Sequence, residues 1–251
     1  MSPWRLELLR IMRTRRLIAL VAMFVILGVG GPVLVHYLPQ IIKSKSATSD
    51  IKLILPKSKP FDGIQNFANN ISSLCTLVVA IVAAASLAID ANPVIAIFYR
   101  TRVRKPAPLL VPRFVAVIGA SVVALALGTL GAWYETTVLI GSVSFGPLAV
   151  GFLLEALWLF FVVSTVAFFS SVIRSVLGVV GAAVTLFLAL ALLESVPGVM
   201  SWMPTRLAES EADLIGHPAG VLWHAIVTAG IASLLVFGIA IYLFGRREVS
   251  R

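Results

Sequence analysis

Charge is scarce in this sequence: only 12% of its 251 residues are Asp, Glu, Lys or Arg, against 59% hydrophobic. A water-soluble domain carries about 25% charged residues, and half that density does not cover a water-facing surface. The shortage excludes an ordinary soluble globule and requires surface that faces lipid. Cysteine is limited to Cys75, inside an apolar run, which excludes an intrachain disulfide framework and a cysteine metal site. Histidine is limited to His36, His217 and His224, and none stands with a glutamate at ligand spacing on one helix. The chain has no G-x-x-x-x-G-K-[ST], so it cannot cradle nucleotide phosphates in a P-loop. It has neither H-E-x-x-H nor G-x-S-x-G; the serines of Gly141-Ser-Val-Ser-Phe-Gly146 have no evident base. No internal repeat is visible.

What the sequence does have is apolar runs. They fall roughly at 17–38, 71–89, 112–134, 145–169, 176–193 and 221–244. Each is near the roughly 20 residues a helix needs to cross a bilayer. None shows the alternation of a membrane barrel, and backbone groups in hydrocarbon must pair within their own segment, so helices are expected. The first run is too long for the apolar region of a signal peptide and is followed by no clean cleavage site. The fold class expected is an all-α polytopic membrane protein of six spans, residues 1–251 forming a single transmembrane domain.

Basic residues set the orientation. Formal net charge is +9. A basic excess can mean nucleic acid, but here Lys and Arg sit between the apolar runs, as loop charges do. Arg5, Arg10, Arg13, Arg15 and Arg16 precede the first run; Arg100, Arg102, Arg104, Lys105 and Arg113 lie between the second and third; Arg174 lies between the fourth and fifth; Arg246, Arg247 and Arg251 close the chain. With alternating spans all fall on one side, and the positive-inside rule makes that side, with both termini, cytoplasmic. Glu135, Glu194, Glu209, Glu211 and Asp213 fall on the other side. One loop dissents: Lys43, Lys45, Lys52, Lys57 and Lys59 fall on the external side.

Four local features carry chemistry. Between Pro3 and Arg13, Trp4, Leu8, Ile11 and Met12 cluster on a helical wheel, which predicts a helix lying in the cytoplasmic interface; the alternative is a basic flank that only sets topology. Between the second and third runs, Val94–Tyr99 is apolar but too short to span. It includes Ile97, Phe98 and Tyr99 and is followed by Arg100, Arg102, Arg104 and Lys105. This reads either as a surface helix that touches a partner or as a basic turn on anionic lipid. Glu155 is the one carboxylate well inside a run. It either lines a substrate path or contacts another helix, or it is a neutral group hydrogen-bonded to a nearby Ser or Thr. After the fifth run, Pro197, Gly198, Trp202 and Pro204 interrupt an apolar segment. They predict short external re-entrant helices anchored by Trp202, the alternative being a plain loop.

The layout resembles the permease subunit of an ABC-2 type transporter, the membrane part of a bacterial ABC exporter. The residues that carry the resemblance are Ser86-Leu-Ala-Ile-Asp90, then Ile97-Phe-Tyr-Arg-Thr-Arg-Val-Arg-Lys-Pro-Ala-Pro-Leu-Leu110, and Met200-Ser-Trp-Met-Pro-Thr-Arg-Leu207. The chain departs from the family pattern after the second span, where Asn92-Pro93 replaces an acidic-x-x-Gly-Thr step. The resemblance implies a multi-pass subunit of the cell inner membrane that has no cofactor of its own and is not itself an enzyme. ATP and magnesium would be bound by a partner ATPase, which the segment from Ile97 to Lys105 would contact as a coupling helix. It also implies a second permease subunit, identical or a sister chain, a surround of membrane lipid and no nucleic acid. The substrate implied is hydrophobic or amphipathic: a drug, lipid or peptide-like molecule. An ion-coupled secondary transporter is the competing class; a membrane-embedded hydrolase is weaker, because no nucleophile–base pair or metal constellation is visible.

Overall fold

The computed structural model describes residues 3–46, 58–88, 107–196, 198–216 and 222–249. The segment from Ile97 to Lys105 lies outside the described residues. The described residues are helical, with no strand among them. The chain runs through α1 (Pro3–Arg13), α2 (Arg15–Ser46), α3 (Pro60–Asn70), a π-helical turn (Ile71–Cys75) and α4 (Thr76–Leu87). Then come α5 (Ala107–Leu139), α6 (Phe145–Val172) and α7 (Val176–Glu194). Two 3-10 turns (Met200–Trp202 and Pro204–Glu209), α8 (Ser210–Gly216) and α9 (Trp223–Val249) complete it.

Six helices are long and apolar enough to cross a membrane: Arg15–Ile42, Pro60–Leu87, Leu110–Leu139, Phe145–Val172, Val176–Glu194 and Trp223–Arg246. They match the six runs, and most are longer. The largest difference is the second, which starts at Pro60 rather than Ile71. Its first part is amphipathic: Ile64, Phe67 and Ala68 are buried, while Asp62, Gln65, Asn66, Asn69 and Asn70 dilute the hydropathy that marks a span. Pro60 opens α3 and Asp62 Oδ2 accepts from the Lys59 backbone N–H at 2.7 Å, so the helix start is well satisfied.

Below α3 the helix widens into the π-helical turn. Ser72 and Ser73 both donate to the Asn69 carbonyl, at 3.1 and 2.8 Å, and Thr76 donates to the Ile71 carbonyl at 2.7 Å. Three hydroxyls that bond back to main-chain carbonyls compete with the regular helical ladder and favour a local change of pitch.

The helices are held together by small residues. Where α2 crosses α5, a Cβ on Gly28 would overlap the Gly128 carbonyl, and one on Gly128 would come within 2.9 Å of the Phe24 carbonyl oxygen. Close approach through glycine is how helices associate where lipid removes the hydrophobic drive between them. Helix α6 is the hub. Of its most apolar window, 61% is buried, against 17% for α7 and α9. Trp158, Leu159, Val162, Val163 and Val166 of α6 lie in the core, while Leu177, Leu192 and Leu193 of α7 face outward. The outer faces of α7 and α9 are therefore left for lipid or another chain.

Helix α1 forms as the sequence predicts. It is fastened to the bundle by a polar contact: Glu7 accepts from Nε of Arg113 at 2.8 Å, and Arg113 is only 3% exposed. Ile11 packs against the core, and Trp4, Leu6, Leu9 and Met12 are exposed. Next to it Arg16 donates to the Ala85 carbonyl at 2.9 Å and to Ser86 Oγ at 3.4 Å. A guanidinium there meets the carbonyl-rich end of α4, where positive charge is favoured.

Candidate functional site

At the end of the bundle remote from α1, the chain between α7 and α9 folds back onto the helices. Pro204 starts the second 3-10 turn, and the turn leads directly into α8. Two residues let this segment come close. Gly151 of α6 has no side chain, and a Cβ there would lie 2.5 Å from Glu211 Cα. Ser210 is fully buried and donates to the Gly151 carbonyl at 3.0 Å. The predicted short helices after the fifth span are thus present. Trp202 is half exposed, its carbonyl accepts from Thr228 at 2.7 Å, and its ring lies 4.5 Å from that of His224. Pro204 is buried.

Beneath this segment is a cavity of about 570 Å³. Its apolar wall comes from Leu74 and Leu77 of the second span, Trp158 of α6, and Val184, Phe187 and Leu188 of α7. Its polar rim comes from Ser72, Ser73, Glu194, Thr205, Arg206, Glu209 and Asp213. Three carboxylates stand against one guanidinium. Arg206 pairs with Asp213 at 3.4 Å, and Glu194 accepts from Thr205 at 2.6 Å. Burial pushes the Glu209 carboxyl above the ordinary range, opposed by hydrogen bonding to Ser72.

The cavity floor is fixed. The indole N–H of Trp158 donates to Thr76 Oγ1 at 3.0 Å, and both residues are buried. Thr76 in turn bonds the π-helical turn, so the irregular part of the second span and the hub helix share one polar joint. Trp158 also packs on Phe161 and Phe187, at centroid distances of 5.6 and 5.7 Å. A π-helical turn beside a cavity is a common setting for a binding function. The arrangement suits a molecule with an apolar body and a polar end.

Glu155 lies one turn of α6 before Trp158, but not on the cavity wall. It is fully buried, and its Oε1 accepts from the backbone N–H of Glu211 at 3.2 Å. Glu211 is also fully buried; its own Oε1 accepts from Thr129 of α5 at 2.6 Å. Glu155 is thus an interhelical contact, with a second carboxylate as its neighbour. Sequence reading places Glu211 among the acids of a loop. No spacing reveals that it meets Glu155, because the two come together only when α8 folds onto α6. Of the other predicted residues, Trp4, Ile11 and Met12 lie on α1, apart from the cavity, with Ile11 packed on the core and Trp4 and Met12 exposed. Among the described residues, no group of three or more His, Cys, Asp or Glu side chains could hold a metal ion. No protein-family model matches the chain, and no curated protein matches it.

Proposed function

We propose that this chain is the membrane permease subunit of an ABC-2 type exporter, working with a separate ATPase. The observation that carries the reading is the cavity between the second span, α6 and α7. The six-helix bundle keeps about 570 Å³ open between these spans, with an apolar wall and a charged rim. Its rim carries Glu194, Glu209 and Asp213 against Arg206, which favours amphipathic molecules with a positive end. The charge distribution along the sequence supports both termini in the cytoplasm of a cell inner membrane, and hence the cavity on the external side. Helix α1, fastened to α5 through Glu7 and Arg113 and carrying exposed Trp4 and Met12, would lie in the cytoplasmic interface. The segment from Ile97 to Lys105 would couple to the ATPase, with Ile97 and Phe98 as anchors. A second permease copy or sister chain would cover part of the exposed α7 and α9 faces.

The test is twofold. Wild-type protein purified in mild detergent should carry an ATPase with it, and the Ile97→Ala/Phe98→Ala pair should lose that ATPase while still inserting. Losing one buried anchor costs about 2 kcal/mol or more, roughly thirtyfold in affinity. Leu188→Trp should fill the cavity, abolishing transport of amphipathic cations while retaining the ATPase. Retention of the ATPase at full stoichiometry by the double variant rejects the coupling role; if wild type never carries an ATPase, the reading as a whole fails. The second reading, an ion-coupled carrier, is favoured by one observation, the buried Glu155–Glu211 pair. Transport in reconstituted vesicles driven by an ion gradient without ATP would select it.

A further inference from the structure

The Glu155–Glu211 contact is more than a structural joint. Both side chains are completely buried, and neither forms an ion pair with Lys, Arg or His among the described residues. Each carboxyl uses one oxygen: Glu155 Oε1 for the Glu211 N–H, and Glu211 Oε1 for the Thr129 hydroxyl. The other two oxygens, Glu155 Oε2 and Glu211 Oε2, are buried without a hydrogen-bond partner. Glu155 Oε1 lies 3.2 Å from the main-chain nitrogen of Glu211, so the two residues meet directly.

Two carboxylates side by side out of water cannot both be ionised without a compensating positive charge. Among the described residues, the groups that face the pair supply none. They are Glu209 on the 3-10 turn, Cys75 on the π-helical turn and Thr129 on α5. A proton between the carboxyls meets both requirements: it removes one negative charge, and it gives the orphaned oxygens a donor to share.

We propose that Glu155, Glu211 and Thr129 form a proton-binding site, and that the bound proton holds α8 against α6. The site lies at the root of the segment that carries Arg206, Glu209 and Asp213 to the cavity. Loss of the proton leaves two anions facing each other across the α6–α8 contact and loosens that wall. The proposal holds whether the chain is driven by ATP or by an ion gradient.

The experiment is an infrared pH titration of the full chain in lipid nanodiscs, with and without sodium. Wild type retains the carbonyl stretch of a protonated carboxylic acid at neutral pH and loses it only in the alkaline range. Glu155→Gln/Glu211→Gln keeps the shape and removes both carboxyls, so the band disappears. Thr129→Val removes a hydroxyl that stabilises the anion, and the loss of the band moves to higher pH by about one unit. Thermal unfolding gives a second readout. A carboxyl that holds its proton in the folded state is ionised first in the unfolded chain, above the ordinary carboxylate range. For Glu211, whose carboxyl burial holds above the ordinary range, stability is therefore greatest at acid pH and falls as pH rises toward its folded-state titration. Glu155→Gln/Glu211→Gln should flatten that slope. Absence of the band in wild type, or an equal band in the double variant, overturns the proposal. Removal of the band by sodium at constant pH overturns it too, by assigning the site to a metal cation.

Discussion

Gly151→Ala is the sharpest perturbation of the re-entrant segment. The added Cβ would lie 2.5 Å from Glu211 Cα and 2.8 Å from Glu211 N. Both are main-chain atoms, so no rotamer change relieves the overlap. Ordinary contact begins near 3.5 Å, so α8 must retreat by roughly 1 Å. Overpacking of this kind costs about 1–3 kcal/mol. The retreat also stretches the Ser210 bond to the Gly151 carbonyl at 3.0 Å and the Glu211 bond to Glu155 at 3.2 Å. Each is worth about 0.5–1.5 kcal/mol. Against this stands a gain of about 1 kcal/mol from replacing a mid-helix glycine with alanine. The net loss is about 1–5 kcal/mol, or roughly 2–20 °C in melting temperature for a chain of this size. The assay is a thermal melt in detergent followed by tryptophan fluorescence. Gly181→Ala in α7 is the control, because nothing lies within 4 Å of its Cβ; it should melt at or above the wild-type temperature. Equal melting of Gly151→Ala and wild type refutes the close contact between α8 and α6.

Trp158→Phe keeps the ring in the core but removes its donor to Thr76, so stability should fall by about 0.5–1.5 kcal/mol and binding in the cavity should weaken; a ligand-binding titration checks the second part. Arg113→Met removes the ion pair that ties Glu7 to α5, leaving Glu7 its pairing with Arg10 on the same helix at 3.7 Å, and should release α1, which limited proteolysis would detect as cleavage before Arg15. For topology, Ser142 and Ser175 are exposed at opposite ends of α6. A cysteine at Ser142 should react with an impermeant thiol reagent added to intact cells, and one at Ser175 should not; the reverse pattern inverts the orientation. The native Cys75 is fully buried and should stay silent.

Hydropathy alone identifies a multi-span helical membrane protein. Hydropathy sums over some twenty neighbours, and no tertiary contact can make a run such as Phe145–Phe169 water-soluble. Amphipathic periodicity placed α1, and Pro204 with Trp202 marked a broken helical segment after the fifth span. Those signals are local, so they survive without knowledge of the fold. The start of the second span at Pro60 is illegible, because Asp62, Gln65 and three asparagines lower its hydropathy while its buried face is defined only by packing against α2, α5 and α8. Tertiary structure alone decided what Glu155 does. A carboxylate in a span announces that something must neutralise it, and not what. Glu211 stands 56 residues away in a segment that reads as loop. Only the absence of a side chain at Gly151 lets that segment approach closely enough for the two carboxyls to meet. The cavity is equally non-local, since its wall is drawn from three spans and the turn that closes it. Its shape follows from a π-helical turn that no hydropathy window can register, because hydropathy records which residues are apolar and not how the backbone beneath them is pitched.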